Sequence, residues 1–216
     1  MTTNNNQTTL PATSPIDCYI GLDISTSVVG ITALDPKNPD GMPLLFDSII
    51  LKPNKKNQLG EHATLFTKAT YFKQEFERLV RTHNLQPIKI FVEENAKAFK
   101  PGLSSAEVLF ILAKFNGIVS YITMTTDAYT QPVQLVDVNA ASARSKIGFK
   151  NPNPKDKSKS IKEKVFDYVT AKHPEFPWRK HIAKTGHSHG QVVYDSDMFD
   201  ACDSYVIVRG GMKVST

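Results

Sequence analysis

Cysteine is nearly missing from this 216-residue chain: there are two, Cys18 and Cys202, each in an apolar setting. Neither the paired spacing of a disulfide scaffold nor that of a zinc site is present, which points to a reducing compartment. Three histidines fall close together at His181, His187 and His189, but no cysteine or fourth ligand is suitably spaced. They read as surface residues or phosphate contacts. Also missing is an unbroken apolar run of the roughly 18–20 residues that span a bilayer. Residues 1–15 lack the basic start and apolar core of a secretory signal and read as a disordered polar tail. No internal repeat is present. The expectation is a single domain over 16–208 between tails at 1–15 and 209–216, not secreted, without membrane contact or small-molecule cofactor. Cytoplasm, nucleus, organellar matrix or a viral setting would all suit it.

Acidic charge is scarce in one region. Between Lys150 and Lys184 there are ten bases and four acids, a net +6, against +5 for the entire chain. A basic stretch on a neutral body suits a polyanionic partner; the plainer alternative is a solvated lysine face.

What the chain does have is a repeated design, an apolar strand that runs into an acid. Cys18 to Leu22 ends in Asp23, followed by the hydroxylated turn Ser25–Ser27 and a returning apolar run, Val28 to Leu34. A third strand is expected over Leu44–Leu51 and an amphipathic helix over Glu61–His83. The segment Asn84–Pro87 ends that helix, and a strand at Ile88–Val92 runs into Glu93-Glu94. A second long helix covers Leu103–Met124, with Ser104 or Ser105 as N-cap and Asn116-Gly117 allowing a close crossing. A strand at Pro132–Val138, a short helix at Asn139–Ile147 and a Pro/Asn breaker at Gly148–Asp156 follow. A basic helix starts at Ser158 or Ser160 and runs to about Ala171. Pro174–Gly190 reads as irregular, within a basic insertion around 148–194. A terminal helix spans Asp195–Val208.

That last helix carries Asp200 and Asp203, three apart and therefore on one face, among Met198, Phe199, Ala201, Cys202, Tyr205 and Val206. Like charges in an apolar helix are costly unless a cation lies between them. The helix dipole accounts for Asp195 and Asp197, but Asp203 lies too far along the helix. Strand-end Asp, strand-end Glu and the Asp pair offer oxygen donors without His or Cys, a set suited to Mg²⁺ or Mn²⁺. Two such ions activate a water and stabilise the leaving oxygen of a phosphodiester.

The motifs Gly21-Leu-Asp23 with Gly30-Ile-Thr, Phe91-Val-Glu93 and Asp200-Ala-Cys-Asp203, in this order, resemble the RuvC-type Holliday-junction resolvases of the RNase H-like nuclease superfamily. A weaker match covers Ala98–Val119. The resemblance implies an α/β, RNase H-like fold, with a mixed five-stranded sheet (an antiparallel three-strand meander plus parallel strands) flanked by helices. It implies that Asp23, Glu93, Asp200 and Asp203 are catalytic and bind two Mg²⁺ or Mn²⁺ ions. Glu93 is preferred to Glu94 because it takes the family's position directly after the strand's last aliphatic residue, and by alternation only one of the two can face the site; Asp197 is the substitute if the helix phase differs. It further implies a homodimer, for which Leu103–Met124 offers a surface, acting on branched DNA such as four-way junctions. Basic residues that would contact DNA are Arg144, Lys146, Lys159 and Lys180.

The segment His173–Tyr194 departs from the family in its length, and its Trp178 would either stack on an unpaired base or anchor the loop to the core. Alternative readings are a flap or RNA–DNA hybrid nuclease and a non-catalytic branched-DNA-binding protein. Gly21–Ser27 also resembles the phosphate hairpin of actin-like and sugar-kinase ATPases, but there is no room for the second domain they need.

Overall fold

In a computed structural model, residues 14–53, 59–60, 62–94, 105–150, 158–186 and 189–214 are described. The N-terminal tail through residue 13, the first residues expected in the second long helix, most of the Pro/Asn breaker and His187 lie outside them.

The apolar runs form strands β1 (Ile16–Ile24), β2 (Val28–Leu34), β3 (Leu45–Ile50), β4 (Leu85–Glu93) and β5 (Gln134–Val138). They build one sheet in the order β3-β2-β1-β4-β5, antiparallel through β3-β2-β1 and parallel through β1-β4-β5. The mixed five-stranded sheet expected from the sequence is therefore present. Helices α1 (Leu65–Thr82) and α2 (Ala106–Thr125) cover one face. The other face carries α5 (Met198–Val214), with α3 (Ala140–Lys146) and α4 (Ile161–Lys172) packed outside it.

Strand alternation sorts the side chains between the two layers. Cys18, Ile20, Leu22 and Ile24 of β1 enter the core under α1 and α2, as do Ile90 and Val92 of β4. Tyr19 and Phe91 lie on the α5 side. By the same parity Asp23 and Glu93 face α5. Leu22 pairs with Val92, so the two acids stand side by side at the carboxyl ends of adjacent parallel strands.

Helix α5 lies unusually close to the sheet because the strands beneath it carry glycine. A Cβ on Gly21 would stand 2.2 Å from the Ser204 carbonyl, and one on Gly30 would stand 2.0 Å from that of Asp200. Between them Thr32 Oγ1 meets Ser204 Oγ at 2.8 Å and the Ala201 carbonyl at 3.2 Å. At the far end Lys172 of α4 and Arg209 of α5 both donate to Asp40, at 2.7 and 2.6 Å.

Several expectations are corrected. The terminal helix does not stop at Val208 but continues to Val214, because Gly210 and Gly211 are packing contacts against Ala143 and Phe91 rather than terminators. Strand β4 starts at Leu85, earlier than expected: Pro87 is tolerated there because the register shifts beside it, leaving Ile88 as an exposed extra residue. The irregular segment contains a hairpin, β6 (Lys180–Ile182) and β7 (Val192–Tyr194). Among the described residues a Cβ on Gly117 would meet no neighbour, and no crossing is marked there. The helix α2 is long and apolar enough to cross a membrane by length and composition, although Glu107 and Lys114 interrupt its apolar run. Its Phe115, Asn116, Val119, Ser120 and Thr123 are buried, and Asn116 donates to the Glu93 carbonyl at 3.3 Å, so Asn116, Ser120 and Thr123 face the protein.

The tight seat of α5 carries a direct test. Gly30→Ala should destabilise the protein by about 3 kcal/mol, the upper end for overpacking, since the obstacle is backbone that cannot rotate away. Urea titration monitored by circular dichroism would measure this, and an unchanged midpoint would mean that the helix is free to shift.

Candidate metal and phosphate site

The site is assembled by three independent constraints. Asp23 closes β1, immediately before a turn tied by Ser25, whose Oγ accepts from the Val28 amide at 3.0 Å and donates to the Val28 carbonyl at 2.8 Å. Glu93 closes β4 on the same face. Asp200 is laid over Gly30, the residue paired with Asp23 across the β1–β2 ladder. One turn later on α5 comes Asp203.

The electrostatics follow from this convergence. Burial, then the charges of Asp203 and Glu93, push the Asp23 carboxyl well above the ordinary carboxylate range. Burial likewise pushes Asp203 up to about 6, opposed by Lys162 and Arg144 and reinforced by Glu93 and Asp200. Lys162 donates to Asp200, and its Nζ stands 3.7 Å from Asp203. Burial opposes the lysine's charge, but the bond to Asp200 and the surrounding acids override it. One ammonium thus stands against four carboxylates.

Beside the acids runs a groove of about 430 Å³, lined by Ser25, Ser27, Lys52, Ser160, Lys162, Ser196 and Asp200 among others. Ser160 caps α4 with a full capping box to Glu163. Hydroxyls, lysines and a helix N-terminus along one groove suit a phosphate backbone.

The structure thus brings Asp23, Glu93, Asp200 and Asp203 together and sets the other acids apart. Glu94 leaves the strand and lines a separate recess with Asn139 and Ser142. Asp197 is engaged by Ser48 and Arg179. Among the basic candidates, Arg144 is near enough to act on Asp203. The other three are not brought to the acids. Lys159 bonds Asp167 at 2.6 Å, Lys146 is exposed on α3, and Lys180 lies over the Tyr194 ring, 4.9 Å from its centre. Lys162, not among the candidates, is the lysine that meets the acids. Its signal was in the sequence: it lies three, four and seven residues before Val165, Phe166 and Val169, on the face of α4 that they bury. Trp178 anchors its loop, with Nε1 donating to the His173 carbonyl at 3.0 Å and its ring against Phe46, Phe166 and Phe176.

Whether these residues suit a divalent cation is tested by their chemistry. All four donors are oxygens, their mutual repulsion is only partly offset, and a hard cation would relieve it. Among the described residues no three His, Cys, Asp or Glu side chains are grouped as they would be around a metal ion; here Lys162 stands against Asp200 and Asp203 instead. The donor set fits, with the lysine required to yield.

The sheet order and the helices on its two faces make an RNase H-like α/β fold. Comparison with solved structures sharpens this. The chain aligns over 93% of its length with the yeast mitochondrial Holliday junction resolvase Ydc2, covering 79% of that protein at 16% identity and a TM-score of 0.53. It aligns over 92% of its length with RuvC of Thermus thermophilus, covering 95% of it at 11% identity and a TM-score of 0.50. The fold is that of the RuvC-type resolvases. No protein-family model and no curated protein matches the chain in sequence.

The strained acids predict a pH-dependent stability. Asp203, raised to about 6, holds its proton more tightly folded than unfolded. Its contribution favours folding at low pH and is lost as pH rises through about 6. In EDTA, Asp203→Asn should therefore raise the melting temperature by several degrees at pH 8, about 2 kcal/mol, and change it little at pH 4.5. Calorimetry at the two pH values decides. Equal destabilisation at both would mean that the acid is not strained.

Proposed function

We propose that this chain is a structure-selective endonuclease that hydrolyses phosphodiesters in branched DNA, four-way junctions foremost. The observation that carries the reading is the convergence of Asp23, Glu93, Asp200 and Asp203 from two strand ends and one helix beside a lysine- and hydroxyl-lined groove. The likeness in fold to two Holliday-junction resolvases supports it. The four acids would hold two Mg²⁺ or Mn²⁺ ions, which when bound supply an activated water and stabilise charge on the leaving oxygen.

The protein's own groups do the positioning. The Ser25 turn and the Gly30 contact fix Asp23 and Asp200 against each other, so that the acids are held in place before substrate arrives. Lys162 neutralises Asp200 and Asp203 in the absence of cations; once released, its ammonium faces the groove and holds a phosphate. Arg144, at the edge of the acids, and Lys52, in the groove, extend the cationic track. Affinity should accordingly fall steeply with salt.

A four-way junction calls for two symmetry-related nicks and hence a C₂ dimer. Its surface would be α2, whose outward stripe of Phe110, Gly117, Tyr121 and Met124 leaves Phe110 70% and Tyr121 64% exposed. The open space over Gly117 admits a partner helix.

Asp200→Asn should lower junction cleavage by about a thousandfold or more while leaving junction affinity within about threefold, because the acid serves cations rather than docking. Cleavage assays on four-way, flap, nicked and hybrid substrates with Mg²⁺, Mn²⁺ or EDTA, paired with anisotropy binding, would test this. Nicking by the variant at near the wild-type rate would remove Asp200 from the site. Phe110→Asp should convert the dimer to monomers in sedimentation velocity; an unchanged sedimentation coefficient would place the interface elsewhere.

A further inference from the structure

The hairpin β6–β7 plays no part in the site described above, yet it is rigidly built. Its first foot is fixed by Trp178 and by Arg179, which bonds Asp47 on β3 at 2.8 Å and also Asp197. Its second foot is fixed by Asp195, which takes His181 Nδ1 at 2.6 Å and whose amide donates to the Arg179 carbonyl at 3.1 Å. The residue after Asp195 is Ser196, which lines the groove beside Asp200. The hairpin is thus a firm arm whose base opens directly into the candidate phosphate track.

Its surface chemistry is unlike that of an ordinary solvated loop. From Phe176 to Tyr194 there is no acid, while Arg179, Lys180 and Lys184 are all basic. At its centre Ile182 and Val192 stand opposite each other in register, 62% and 67% exposed. A cross-strand apolar pair left in water in this way is a cost to the isolated protein. Beside it Lys180 lies over the Tyr194 ring.

We infer that this hairpin is a second DNA-contacting element that seats the Ile182–Val192 pair against the base faces exposed where duplex arms meet, with Lys180 and Lys184 on the flanking phosphates. The inference rests on the proposed function. Its occupant follows from complementarity. An apolar pair flanked by Lys180 and Lys184 matches base faces flanked by phosphates, a combination that a branch point offers and an intact duplex hides. A second copy of this chain, itself net positive, would be repelled by the same lysines. The arm would supply preference for branched over linear DNA, and its base would pass that placement to the groove.

The test uses the full chain carrying Asp200→Asn, so that junctions stay uncut. Adding Ile182→Thr and Val192→Thr keeps strand propensity while removing the apolar faces. Junction affinity by anisotropy should fall about tenfold, with linear-duplex affinity within about twofold. The fluorescence rise of a 2-aminopurine placed next to the branch should be lost. Separately, Lys184→Ala should reduce the slope of log affinity against log salt by about one. The inference is overturned if the double-threonine variant binds junctions within about twofold and gives the same 2-aminopurine signal. A change in its sedimentation with unchanged DNA binding would also overturn it, making the pair a protein contact. If the protein without these threonine changes binds four-way junctions no better than duplex, the proposed function itself fails, and the hairpin's role with it.

Discussion

Everything at the candidate site depends on how closely α5 lies on the first two strands. Gly21 and Gly30 remove the two Cβ atoms that would hold the helix off, and Thr32 ties the gap with hydrogen bonds to Ser204 and Ala201. Because Gly30 pairs with Asp23, the contact that seats the helix also sets the separation between a strand acid and a helix acid. A larger residue at either glycine would do more than loosen packing: it would pull the ligand set apart. Packing and chemistry are here the same constraint.

That constraint forces like charges together, and the fold answers with few counter-charges. Lys162, from the first turn of α4, is the resident cation, with Arg144 acting from α3. A single ammonium cannot neutralise four carboxylates, so the metal-free protein carries electrostatic strain, as sites built to receive cations commonly do. In the proposed function the lysine would act as a gate: it pairs with Asp200 and Asp203 here and would become available to a phosphate once a cation took its place.

Much of this was legible in the sequence because the sheet obeys a period of two. Apolar runs located all five strands, and alternation required that only one of Glu93 and Glu94 face the site, the family resemblance favouring Glu93. Helical spacing put Asp200 and Asp203 on one face. What escaped has physical causes. Lys162 was not among the basic candidates, although it lies on the same face of α4 as Val165, Phe166 and Val169. The strands β6 and β7 are three residues each, too short for any pattern to register. The last helix was expected to end at Val208, because sequence alone does not show that Gly210 and Gly211 let it continue against Ala143 and Phe91. Pro87 hid the start of β4, since only the neighbouring bulge makes a central-strand proline acceptable.

The site and the hairpin share one support. The segment Asp195–Asp197 receives Arg179 and His181 from the hairpin base and leads within a turn to Asp200, so the hairpin base and the acids are joined by a short, well-bonded path. The most direct test of the whole account is to locate cations by anomalous scattering from crystals grown with Mn²⁺. The account predicts manganese bound by Asp23, Glu93, Asp200 and Asp203, with Lys162 moved off Asp200. Crystals at saturating Mn²⁺ with no anomalous peak among these acids, and Lys162 still bonded to Asp200, would contradict it.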